Sequence, residues 1–211
     1  SDTVVLVRIA ERSTSLSKRA LDIGADGIVV PWMENVKDLE EAVRDCRFPP
    51  KGRRGIGGER ATAWGQCLEE HATEADKNVL IIPLIESITA IPNIPKMCEV
   101  DGIDIFFFGP ADFSSTAGFP GQWEGPGVAK QILELKEIIN ASGKHCGVVS
   151  TSTKNLTDRI EQGFKMLALG NDSGLLLRSI HQSLREIGHD RSLATSIDPI
   201  DGQLEVQKML S

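Results

Sequence analysis

The feature that most constrains this chain is a set of short runs that are apolar at every position, each followed by apolar residues at helical spacing. A run such as Leu80-Ile81-Ile82-Pro83-Leu84-Ile85 has no polar alternation, so a strand formed there must be covered on both faces. Strands of that kind belong to parallel sheets wrapped by helices. Six segments read this way: Val4 to Ile9, Gly27 to Trp32, Val79 to Ile85, Ile103 to Phe108, His145 to Val149 and Met166 to Leu169. Between them lie helical stripes. Leu16, Ala20, Leu21 and Ile23 precede a stop at Gly24, and Val36, Leu39, Ala42, Val43 and Cys46 follow Asn35 as N-cap. Val128, Ile132, Leu135, Ile138 and Ile139 form a longer stripe; Leu156 and Ile160 mark a helix ending near Gly163; Leu176, Ile180, Leu184 and Ile187 mark the last one.

Six β-α units fit a doubly wound open sheet and an arc of a (β/α)₈ barrel equally well on periodicity alone. The positions of polar residues favour the barrel. Arg8, Glu86 and Asp112 all fall at or just past the C-terminal ends of strands, and in a barrel those ends share one mouth.

A carboxylate closing an apolar strand must be paired, solvated or bound to a cation, because burying it alone is costly. Glu86 and Asp112 are in that position, one β-α unit apart, which places them on adjacent strands. A hard divalent cation removes the repulsion between two such carboxylates and leaves coordination positions for water and substrate. The plainer alternative makes Asp112 an N-cap and Glu86 half of a salt bridge. Arg8 carries a planar fork suited to a carboxylate or a developing oxyanion; its plainer role is a salt bridge to one of the two carboxylates. Gly109-Pro110-Ala111-Asp112 reads as a turn into a short helix whose free N–H groups can hold a substrate carboxylate. Gly52 to Gly58 lacks both the dinucleotide fingerprint and a Walker lysine, and is expected to be a mobile loop over the mouth. Arg60 and Trp64 just beyond it are expected to pack beneath the loop.

Several chemistries are excluded. No lysine ends a strand, and Lys144 and Lys165 precede strands, so a Schiff base has no candidate. No G-x-S-x-G elbow is present. His71, His145, His181 and His189 all read as surface or structural residues. A net charge of −7 argues against nucleic acid and anionic membranes, and no apolar run is long enough to span a bilayer. The four cysteines form no C-x-x-C pair, which suits a reducing cytoplasm.

Three segments together resemble the heptenedioate aldolase/citrate lyase β superfamily. They are Arg47-Phe48-Pro49-Pro50-Lys51-Gly52-Arg53-Arg54-Gly55, Pro83-Leu84-Ile85-Glu86-Ser87, and Val100-Asp101-Gly102-Ile103-Asp104 through Gly109-Pro110-Ala111-Asp112-Phe113-Ser114. The similarity runs from Val4 to about Leu184 and is nearest to the 2-keto-3-deoxy acid aldolases and macrophomate synthase. It implies an α/β TIM (β/α)₈ barrel of the phosphoenolpyruvate/pyruvate-binding type. Residues 1–188 would supply units three to eight, the first two strands would be missing from this chain, and 189–211 would be a peripheral tail. It also implies a class II lyase that makes or breaks 2-keto-3-deoxy or 4-hydroxy-2-oxo acids through a pyruvate enolate. Glu86 and Asp112 would hold Mg²⁺, Mn²⁺ or Co²⁺, Arg8 would stabilise the enolate, and backbone at Gly109, Ala111 and Asp112 would hold the pyruvate carboxylate. The implied partners are small keto acids and aldehydes and further copies of the chain, as a hexamer that exchanges its last helix. The alternatives are oxaloacetate decarboxylation of the macrophomate synthase kind, and a catalytically silent barrel serving as a metabolite-binding or oligomeric module. The sequence departs from the family pattern in three ways. The histidine that follows an acidic pair at the end of the family's second strand has no counterpart here, Leu84 replaces a common Gln, and Pro92 and Pro95 interrupt the helix after Glu86.

Overall fold

The computed structural model describes residues 2–125, 127–150 and 152–189. Six strands form one parallel sheet: β1 (Leu6–Arg8), β2 (Gly27–Val30), β3 (Leu80–Ile85), β4 (Ile105–Phe108), β5 (His145–Val149) and β6 (Met166–Ala168). Their spatial order is their chain order, each strand pairing with the next. A doubly wound sheet would reverse direction at a switch point. No reversal occurs here, which decides between the two architectures that periodicity left open: the sheet is a curled arc of the kind found in TIM-like barrels.

Helices fill the crossovers: α1 (Thr14–Asp22), α2 (Val36–Cys46), α3 (Leu68–Asn78), α4 (Ile94–Met97), α5 (Pro110–Thr116), α6 (Ala129–Ala141), α7 (Thr153–Glu161) and α8 (Asp172–Glu186). The expected caps form. Asn35 accepts a hydrogen bond from the Asp38 N–H at 3.1 Å to start α2, and Gly24 closes α1 at φ +100°. Pro92 and Pro95 have the expected effect: the segment after β3 is a 3₁₀ turn over Ile88–Asn93 followed by one turn of α-helix, α4. The expected peripheral tail concerns residues 189–211, and 190–211 lie outside the described residues.

Strand register fixes which side chains share a face. Val7 pairs with Ile28 and Ile28 with Ile81, while Ile85 pairs with Phe108, Phe108 with Val148 and Val148 with Leu167. These residues face the helices. They join Leu39, Ala42, Ile94, Met97, Ile132 and Leu135 in one core, where Phe106 and Phe108 are fully buried. With a side-chain period of two, the opposite face carries Leu6, Arg8, Val29, Ile82, Leu84 and Phe107. Gly147 has no room for a side chain on this face, because a Cβ there would come within 2.6 Å of the Phe107 ring. Arg8 and Glu86 continue the inner-face rows of β1 and β3, so both project on the side that forms a barrel's interior.

The Gly52–Gly58 segment departs from expectation at its first half. It was expected over the mouth, but the chain up to Arg54 is tied to the opposite end of the sheet. The N–H groups of Arg53 and Arg54 donate to the carbonyls of Arg44 and Arg47 at the close of α2. The Phe48 N–H donates to Asp76, and the Arg47 guanidinium to the Val79 carbonyl just before β3. Arg54 is the reason for the tie. It is 1% exposed, lies 4.6 Å over the Phe48 ring and donates to Asp22 at 2.9 Å. Trp64 does not pack beneath this segment; it is exposed.

Candidate active site

The C-terminal ends of β1, β2, β3 and β4 build the site. β3 runs apolar to Ile85 and delivers Glu86 into a position only 2% exposed. One of its oxygens, Oε1, accepts a hydrogen bond from the Trp32 backbone N–H at 2.9 Å. Burial pushes the Glu86 carboxyl above its usual range; the Trp32 N–H opposes that shift, the charge of Asp112 adds to it, and Arg8 pulls it down. The three predicted polar residues therefore share one electrostatic environment. None of the ion pairs found among the described residues involves Arg8 or Glu86, so the salt bridges that are their plainer alternatives do not form there.

Asp112 is exposed and lies in the first turn of α5, whose cap is Gly109. It is not the N-cap, so its carboxylate is not committed to the helix start. Gly109 has another role than the one expected of it. Its N–H donates to the Ile85 carbonyl at 3.0 Å, which removes it as a donor to a substrate carboxylate. What the position requires is the absence of a side chain: a Cβ there would lie 3.0 Å from both Cβ and Oε2 of Glu86. Glycine at 109 lets the end of β4 close against the Glu86 carboxylate. Since Pro110 has no N–H, Ala111 and Asp112 are the first residues of α5 with unpaired backbone donors.

A divalent cation fits these residues. Glu86 keeps Oε2 beyond its one backbone bond, and a second carboxylate is close enough to disfavour its charge. Among the described residues no group of three or more His, Cys, Asp and Glu side chains is placed to hold a metal, so no all-protein cage exists. Two hard oxygen donors with the remaining shell left to water and substrate is the arrangement Mg²⁺ and its relatives accept. Lys144, set aside as a Schiff-base candidate, donates at 3.2 Å to the Val100 carbonyl, at the end of the sheet opposite the site. His145 opens β5 and His71 packs edge-on to Phe48 at 6.0 Å, and neither is near the strand ends that carry the site.

One residue of the site escaped the sequence reading. The sequence reads Trp32 as the end of a strand, yet β2 stops at Val30 and Trp32 adopts φ +55°. Its position just past a strand's C-terminal end was the available signal, but an aromatic residue there reads as core.

Comparison with known proteins fits this geometry. Residues 1–179 match the family model described as HpcH/HpaI aldolase/citrate lyase. The chain is 36% identical over 178 residues to a 4-hydroxy-2-oxovalerate aldolase of Rhodococcus jostii (strain RHA1), covering 84% of this chain and 68% of that protein. It is 34% identical over 181 residues to a hydroxypyruvate/pyruvate aldolase of Roseobacter denitrificans (strain ATCC 33942 / OCh 114), covering 85% and 70%. Among solved structures, an HpcH/HpaI aldolase/citrate lyase family protein from Burkholderia cenocepacia J2315 superposes with a TM-score of 0.83 at 30% identity, over 86% of this chain and 72% of that one.

Proposed function

Because the chain belongs to the HpcH/HpaI aldolase/citrate lyase family, a family of carbon–carbon lyases, we propose that it is a divalent-metal-dependent pyruvate aldolase acting on 4-hydroxy-2-oxo or 2-keto-3-deoxy acids. The observation that carries this reading is the convergence of Arg8, Asp112 and buried Glu86 at neighbouring strand ends, with both charges felt at Glu86.

Glu86 and Asp112 would hold Mg²⁺, Mn²⁺ or Co²⁺, which when bound supplies a Lewis acid at the keto oxygen. The residues of the chain do the rest. The Trp32 N–H fixes Glu86 by one oxygen. The free N–H groups of Ala111 and Asp112 orient the keto acid through its carboxylate. In cleavage the C4 hydroxyl gives its proton to water and its C–O bond becomes the aldehyde carbonyl as the C3–C4 bond breaks; the electron pair of that bond ends on the keto oxygen as an enolate, which takes a proton from water at C3 and leaves as pyruvate. Arg8 donates to that oxygen as its negative charge develops, so its interaction is stronger in the transition state than in the ground state. The names of two relatives, a 4-hydroxy-2-oxovalerate aldolase and a hydroxypyruvate/pyruvate aldolase, support the substrate class. Among the described residues no helix is long and apolar enough to cross a membrane. A cytoplasmic homo-oligomer acting on small metabolites completes the reading.

The test is pyruvate release from a panel of 4-hydroxy-2-oxo acids, measured in chelator and after adding back Mg²⁺, Mn²⁺ or Co²⁺. Release that depends on added metal and is lost in Glu86→Gln supports the proposal. Release that is indifferent to chelator and to Glu86→Gln would sink it.

A further inference from the structure

Trp32 is an unusual residue to find where it is. β2 ends at Val30, Pro31 has no N–H to continue the ladder, and the chain then turns left-handed at Trp32, φ +55°. The turn places two donors in sequence: the Trp32 N–H on Glu86 Oε1 at 2.9 Å and the Met33 N–H on the Leu84 carbonyl at 3.2 Å. Because β2 lies between β1 and β3, Trp32 stands between the strand that ends in Arg8 and the strand that delivers Glu86. Glycine would take this backbone conformation without strain and would donate the same N–H. A bulky side chain there is disfavoured. Neither the turn nor the bond to Glu86 therefore asks for an indole. Core burial does not ask for one either, since Trp32 is 47% exposed. The residue is anchored beside the candidate site through its backbone N–H at a cost, and about half of its surface is left open to solvent.

We propose that the Trp32 indole is the specificity-determining wall of this site, seating the aldehyde half of the substrate and favouring an apolar or aromatic tail over a hydroxylated one. The proposal rests on the aldolase reading above. The keto-acid half is recognised by charge: Arg8, the two carboxylates and the free N–H groups of α5. The half beyond the broken bond carries no obligatory charge. A flat, half-exposed indole tethered through its own backbone to Glu86 offers it dispersion and water exclusion. Backbone strain tolerated at a functional position is common where surrounding contacts over-determine it.

The experiment compares kcat/KM of the full-length protein, Trp32→Gly and Trp32→Phe on two 4-hydroxy-2-oxo acids that share the keto-acid half. One has a phenyl tail and the other a polyhydroxylated tail. Trp32→Gly keeps the turn and the N–H while deleting the ring. The expected result is that the phenyl-over-hydroxylated preference falls about tenfold in Trp32→Gly, mainly through KM, and is largely restored in Trp32→Phe, the scale that loss of one apolar contact surface gives in substrate discrimination. Equal losses on both substrates would assign Trp32 a merely structural part and overturn the proposal, as would an unchanged preference. Failure of the aldolase reading looks different: the wild-type protein would neither cleave the panel nor exchange the methyl protons of pyruvate. In that event the tryptophan fluorescence of a Trp64→Phe/Trp123→Phe protein, titrated with benzaldehyde, decides the matter. A saturable quench supports an aryl group seated on the indole, and no quench overturns it.

Discussion

Glu86 combines three properties that separately are ordinary: burial, a single backbone donor, and a like charge nearby. Burial and the like charge raise its pKa, the Trp32 donor opposes them only in part, and a bound cation would pull it back down. If Glu86 holds the proposed ion, proton and metal compete at one carboxylate whose pKa lies above the usual carboxylate range. The affinity for Mn²⁺ should fall as the pH is lowered from neutrality into the acid range, and the fall should set in at a higher pH than it would for a carboxylate of ordinary pKa. Calorimetric titration across that range checks the slope, and a flat profile would mean that Glu86 does not contact the ion. Arg8 should behave differently. Arg8→Ala is expected to cut turnover by roughly 10²–10³ while leaving Mn²⁺ affinity close to wild type, because loss of one preorganised donor is felt where charge develops. Arg8→Lys should recover little of it, since an ammonium lacks the planar fork. Deuterium exchange at the pyruvate methyl group, set beside the titration, separates the two effects. At Gly109 the constraint is space. In Gly109→Ala the new methyl group would sit 3.0 Å from Glu86 Cβ and Oε2, so either Glu86 or the start of α5 must move. The expected cost is about 1–3 kcal/mol of stability together with weakened metal binding; an alanine variant that binds Mn²⁺ as wild type would show that the carboxylate has slack.

At the scale of elements, the six strands follow from continuous apolar runs and helical stripes, and every strand the runs indicated is present; the sequential winding does not follow from them and was favoured only by where Arg8, Glu86 and Asp112 fall. The two carboxylates and the arginine were also legible, because a charged residue ending an apolar strand stands out against its neighbours. What was not legible depends on contacts between distant segments. Gly52 to Arg54 looks like a flexible loop because it is rich in Gly and Arg, but Arg54 is buried by Phe48 and Asp22, neither of which marks itself in sequence as its partner. Gly109 looked like a free anion donor until the Ile85 carbonyl was seen to take its N–H. Trp32 needed φ and a bond to a residue 54 positions away before it could be separated from the core. The Arg54 tie makes a prediction at this scale. Removing one partner of a buried pair costs about 3–5 kcal/mol, and Arg54→Ala should fall at the lower end because Lys18 also pairs with Asp22. Urea unfolding measures it. Since the tie lies at the end of the sheet opposite the site, the folded fraction of Arg54→Ala should keep its Mn²⁺ affinity, and a lost affinity would contradict that separation.

At the scale of the molecule, α8 is the element whose surface the chain does not itself account for. An amphipathic helix on a barrel ordinarily buries one apolar stripe. α8 buries only Gly174, while Leu175, Leu176, Leu177, Ile180 and Leu184 stay exposed, with Ile187 at its C-cap; Leu176 is 62% and Ile187 70% accessible. Monomeric proteins rarely leave so many large apolar side chains contiguous in water. Leu169, just after β6, is exposed as well. Self-association through α8 would cover it, in keeping with the hexamer that the family resemblance implies. A two-fold contact needs only one self-complementary patch, so a single helix face suffices to start such an assembly. The protein should therefore scatter light as a multiple of its protomer mass, and near six times 22.9 kDa for this chain. Leu176→Glu/Ile180→Glu places two like charges on the patch and should lower that mass without unfolding the sheet, as circular dichroism would register. If the wild-type protein scatters as a monomer, α8 is covered by something other than a second copy, and this account of its apolar face is wrong.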